Sequence, residues 1–81
     1  MDNPIASIRQ RHRMTVVEFA MALGISPATV ASAEAGELLR PRKLILSLAL
    51  LTGQDPEELQ AAYSEWRSVR AADYRARLAA L

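Results

Sequence analysis

The stretch that decides the fold is TVVEFAMALGISPATVASAEAG, residues 15–36. Thr15 followed three positions later by Glu18 is a capping box: the threonine hydroxyl accepts from one orphan amide while the glutamate reaches back to another. Met14 and Phe19 stand at the two positions of a hydrophobic staple, so two signals place the same helix start. Gly24 stops that helix, because glycine enters the left-handed C-terminal conformation without a Cβ penalty. Ile25-Ser26-Pro27 starts another at once, with Ser26 as cap, Pro27 as first helical residue and Ile25 spaced to pack on Val30. Gly36 ends it after Ala35. A turn this short, with a glycine in it, sets two helices at a steep angle and leaves the second free to project. Ala20 is small enough for close approach, and Phe19, Leu23, Ile25, Val30 and Ala33 fall at core-facing spacings.

The flanks predict three more helices. Asn3-Pro4 offers a cap and a first helical residue, and Ile5 and Ile8 follow in a helix that ends before Arg13. Beyond Gly36, a loop from Glu37 to Arg40 leads to Pro41. The apolar run Leu44 to Leu51 then predicts a buried fourth helix closed by Gly53. Asp55-Pro56-Glu57-Glu58 caps a fifth helix over about 56–80, with no glycine or proline to interrupt it. Its acidic first turn and its late Arg75 and Arg77 suit the helix dipole. No segment alternates with period two and no internal repeat occurs, so the fold class is all-α.

A chain of 81 residues supports one hydrophobic core, and residues 1–81 are read as a single domain. An apolar share of 51% with 23% charged residues is that of a globular chain. With no cysteine and His12 as the one histidine, neither a disulfide framework nor an ordinary zinc site is available, and no metal or cofactor is expected. The longest apolar run is far below the ~20 residues of a membrane span, and the first residues lack the pattern of a secretory signal. These features argue for a cytoplasmic protein and against a membrane partner. An enzyme needs a convergent nucleophile, base and orienting group, and His12 sits among arginines with no acidic neighbour in sequence, so no catalytic residue is assigned. The net charge of +1 says little about partners, but the cations cluster at Arg9/Arg11/Arg13, at Arg40/Arg42/Lys43 and at Arg67/Arg70/Arg75/Arg77.

From Ile5 to Leu59 the chain resembles the Cro/phage-repressor (XRE-like) helix-turn-helix family of DNA-binding transcriptional regulators. The residues that carry the likeness are Phe19-Ala20, Leu23-Gly24-Ile25-Ser26, Thr29-Val30, Glu34-Ala35-Gly36, Arg40-Pro41, and Leu50 to Leu59 with Gly53. The resemblance implies a five-helix lambda-repressor-like DNA-binding domain, here with an extended C-terminal helix. Its third helix would enter the major groove of double-stranded DNA and its second would cross above the backbone. It also assigns Arg9 and Glu34 to each other, as an ion pair tying the first helix to the end of the recognition helix.

The same resemblance puts Pro27, Ala28, Ala31 and Ser32 against base edges, with Thr29 nearer the backbone. The chain departs from the family here, since relatives carry Gln, Asn, Arg or Lys at several of these sites and use them to identify guanine and adenine. Ser32 alone can hydrogen-bond a base edge, while the methyls of Ala28 and Ala31 suit thymine C5-methyl groups. Val16 stands where many relatives have glutamine. Phosphate contacts are expected from amides near Val16 and Thr29, from Thr15 and Ser26 where capping leaves them free, and from Arg40, Arg42 and Lys43.

The fifth helix is expected to hold a homodimer together through Tyr63, Trp66, Val69, Arg70, Tyr74 and Leu78, with Leu81 extending the stripe. A symmetric pair would space two recognition helices about one DNA turn, ~34 Å, apart over a palindromic operator. Small size favours a simple repressor or autoregulator. The rival expectation is a protein-interaction adaptor, in which the alanine-rich third helix docks on a protein partner and DNA is not bound.

Overall fold

The computed structural model describes residues 1–80; Leu81 lies outside the described residues. Five helices follow in chain order: α1 (Pro4–Arg11), α2 (Val16–Leu23), α3 (Pro27–Ala35), α4 (Arg42–Thr52) and α5 (Pro56–Ala79). No strand occurs among the described residues. Local chemistry sets the starts. The Asn3 side-chain oxygen accepts from the Ile5 amide at 2.9 Å. Thr15 Oγ1 accepts from the Glu18 amide at 3.1 Å while the Thr15 amide donates to Glu18 Oε1 at 2.8 Å, completing the capping box. Ser26 Oγ accepts from the Thr29 amide at 3.1 Å, and an Asp55 carboxylate oxygen from the Glu57 amide at 3.0 Å. Only α4 starts without a side-chain cap, on Pro41.

Two glycines shape the central pair. Gly24 and Gly36 close α2 and α3 at φ +70° and +82°, a region that favours glycine. The Ile25 amide donates back to the Ala20 carbonyl at 3.1 Å, and the two helices meet at 111°. Helix α1 ends differently. Arg13 adopts φ +55°, and the bonds from its amide to the Gln10 carbonyl and from the Met14 amide to the Arg9 carbonyl hold it there. That conformation costs a non-glycine residue ~1–2 kcal/mol.

All five helices feed one core, in which Ile5, Val30, Leu44 and Tyr63 are the largest fully buried side chains. Helix α4 corrects the expectation of burial along its whole apolar run. Leu44, Ile45, Leu48 and Ala49 are buried, whereas Leu46, Leu50 and Leu51 are exposed. The helix packs on α2 and α5 along one side only, and an unbroken apolar run at 3.6 residues per turn must place some of its members on the other. Helix α5 divides lengthwise. Its last buried side chain is Trp66; beyond it Arg67 and Ala71 are half-buried beside the end of α3 and every other residue to Ala79 is exposed. This accounts for a long axis of 44 Å against 24 and 20 Å in the other directions. No single described helix is long and apolar enough to cross a membrane.

Candidate nucleic-acid interface

The C-terminal end of α3 is held from three sides. Arg9 of α1 donates to Glu34 through Nε at 2.7 Å and Nη2 at 2.9 Å, a two-pronged ion pair, and its Nη1 donates to the Met14 carbonyl at 2.9 Å. The hydrogen bonds that Arg9 donates to the Glu34 carboxylate raise the Arg9 pKa above its ordinary value, against the opposing effect of burial. Ahead of α1, Asn3 Nδ2 donates to the carbonyls of Ala33 and Glu34 at 3.2 and 3.0 Å. From α5, the Tyr63 hydroxyl lies 3.0 Å from the Ala33 carbonyl and 2.8 Å from that of Leu38, and Arg67 Nε donates to the Gly36 carbonyl at 2.7 Å. These partners satisfy carbonyls that a helix end otherwise leaves orphaned. Trp66 closes the joint, its ring so near Gly36 that a Cβ there would sit 3.0 Å from Cζ3. Burial pushes the Tyr63 phenol pKa up, against the opposing charge of Arg67.

The N-terminal half of α3 is bare. Pro27, Ala28 and Ala31 are exposed, and Thr29 and Ser32 are half-buried. No side chain from another element hydrogen-bonds to any of them among the described residues. The amides of Val16 and Val17 opening α2, and of Ala28 opening α3, likewise make no hydrogen bond there. The hydroxyls of Thr15, Ser26 and Thr29 are committed to capping, Ser26 Oγ and Thr29 Oγ1 being 2.9 Å apart. Free amides, more than these hydroxyls, are therefore what the two helix starts present to an anion. Val16 itself is half-buried against the core.

Arg40, Arg42 and Lys43 are exposed at the start of α4. Arg9–Glu34 is the one ion pair among the described residues, so these three cations have no acidic partner there. The loop that carries them is braced by a bond from the Arg42 amide to the Arg40 carbonyl at 2.7 Å and by Gln60 Nε2 donating to the Leu39 carbonyl.

On α5 the structure corrects two of the residues expected at a dimer face. Tyr63 is wholly buried and Trp66 is 8% exposed, both packed within the chain's own core, with ring centroids 5.9 Å apart. Helical spacing says that a stripe is apolar but not which body covers it. Val69, Arg70, Tyr74 and Leu78 do lie on the surface. The Tyr74 ring carries a guanidinium on either side along the helix, Arg70 at 5.5 Å and Arg77 at 5.4 Å from its centroid.

Sequence reasoning missed the roles of Asn3, Tyr63 and Arg67. Asn3 was legible as a cap, but its second set of bonds spans thirty residues of chain and leaves no local signal. The arrangement is a helix fastened at its C-terminal end, with an exposed start that leaves the Ala28 amide without a hydrogen bond among the described residues. No family model matches the chain, and comparison with curated proteins and with solved structures finds no match.

Proposed function

We propose that this chain is a DNA-binding transcriptional regulator, a small repressor or autoregulator that acts in the cytoplasm as a homodimer on a palindromic operator. The observation that carries the reading is the asymmetry of α3 within a helix pair at 111°, clamped at its C-terminal end and bare at the end that would enter the major groove. The chain also offers the groups that a phosphate backbone needs: the amides of Val16, Val17 and Ala28, which make no hydrogen bond among the described residues, and the exposed Arg40, Arg42 and Lys43 ahead of and opening α4, which make no ion pair there. Ser32 is the one polar side chain on the reading face able to identify a base by hydrogen bond. Ala28 and Ala31 present methyls that fit thymine C5-methyl groups.

Selection of bound sequences from a random DNA pool tests the reading, with affinity then followed against salt. A two-fold symmetric consensus and a steep loss of affinity with salt are expected, and Arg42→Ala should lower the salt slope by about one unit for every sequence alike. No retention of DNA even at low salt would overturn the proposal. One observation favours a second reading: the exposed side of α3 formed by Pro27, Ala28, Ala31 and Ala35 is apolar, which suits docking on a protein. An adaptor of that kind would give the negative DNA result.

A further inference from the structure

Helix α5 carries a charge pattern and an exposed surface that run along its whole length. Along the exposed side of the helix, Glu58, Ala62, Glu65, Val69, Ala72, Ala76 and Ala79 recur at alternating steps of four and three, and every one of them is exposed. That is the spacing of a helix–helix seam, here built mostly from side chains small enough to let two axes approach closely. Charge is distributed unevenly along it. Up to Trp66 the cap and helix hold Asp55, Glu57, Glu58 and Glu65 with no cation, while from Arg67 onward the helix holds Arg67, Arg70, Arg75 and Arg77 against Asp73 alone. Among the described residues, none of these groups makes an ion pair within the chain.

We propose that the occupant of this face is the α5 helix of a second copy, laid antiparallel. The proposal rests on the homodimer part of the functional reading and supplies its geometry. Charge complementarity decides both the partner and the direction. In a parallel pair, Glu58 and Glu65 would each meet their own equivalents, and the arginine-rich halves would lie side by side. In an antiparallel pair, the acidic half of each helix meets the basic half of the other, and the seam glutamates face alanines flanked by Arg75. With α5 about 36 Å long at 1.5 Å per residue, the arrangement also carries the two bodies to opposite ends of the pair.

Sedimentation of three charge variants tests this without DNA, so that failure here is separable from failure of the DNA reading. Glu58→Arg with Glu65→Arg cancels the net negative charge of the first half of α5, and Arg75→Glu with Arg77→Glu turns the second half from net basic to net acidic. Each variant alone should associate at least about tenfold more weakly than the parent chain, and mixing the two should restore dimers, because opposite charges then face each other along both halves. Restoration on mixing also shows that both variants fold. Orientation is read independently in the cysteine-free chain: oxidising Ala62→Cys together with Ala76→Cys chains should give a mixed disulfide-linked dimer, whereas Ala76→Cys alone should not link to itself. A monomeric parent chain, dimers that survive the acidic-half substitutions, or efficient Ala76→Cys self-linkage would each overturn the proposal.

Discussion

At its C-terminal end α3 receives Asn3 and Arg9 from one side of the molecule and Tyr63, Trp66 and Arg67 from the other; at its N-terminal end it has its own cap, Ser26. Fastened at one end and exposed at the other, a helix can be fixed in place and still available. A helix offered to a large partner can be fastened only where the partner does not reach: Val30 and Ala33 pack into the core on the inner side of α3, and every long-range hydrogen bond to it falls within the last turn or just past it. Substitutions at the two ends should therefore separate stability from binding.

The largest effect is expected from Trp66→Ala. It empties a buried site on which the end of α3 rests, and thermal or urea unfolding should show a loss of ~3–5 kcal/mol. DNA binding should fall with it, since the clamp and the fold fail together. An unfolding free energy within ~0.5 kcal/mol of the parent chain, the scale of an ordinary surface change, would show that the clamp is not held by this ring. Gly36→Ala comes next. The left-handed φ of +82° alone costs an alanine ~1–2 kcal/mol, and its Cβ would press on the Trp66 ring at 3.0 Å, so a loss above 2 kcal/mol is expected. A smaller loss would mean that Trp66 yields easily.

Tyr63→Phe tests the clamped end through pH. Burial holds the folded-state phenol pKa above its ordinary value near 10, so the folded chain keeps that proton where the unfolded chain releases it. The unfolded state then binds fewer protons, and stability is full below the ordinary phenol pKa and falls as pH rises through the folded one. The parent chain should lose stability in this alkaline window, while Tyr63→Phe should be about 1 kcal/mol less stable at neutral pH and lack the Tyr63 part of the alkaline loss. Identical alkaline profiles for the two chains would show that the Tyr63 proton does not contribute.

What was legible in the sequence follows the range of the interaction that decides it. The helix starts at Asn3, Thr15, Ser26 and Asp55 and the stops at Gly24, Gly36 and Gly53 are settled within four residues of chain, and each stands where the capping chemistry predicts. Periodicity carries less, because it marks an apolar stripe without saying what lies against it. For that reason the outward Leu46, Leu50 and Leu51 were expected inside, and the inward Tyr63 and Trp66 were expected on a dimer face. Of the candidate site, the exposed Pro27, Ala28 and Ala31 and the Arg9–Glu34 pair were anticipated through a family resemblance. The bonds from Asn3, Tyr63 and Arg67 join residues about thirty positions apart, and no local pattern announces them.

The smallest effect on stability and the largest on function should meet in one substitution, Ala31→Glu, on the exposed side of α3. Unfolding should change by no more than ~0.5 kcal/mol, as for other exposed helix positions free of capping roles. In the same preparation, binding to the selected DNA should be lost across the salt range, because a carboxylate then faces the bases and phosphates of the groove. A variant equally stable and equally able to bind that DNA would show that α3 does not enter the groove.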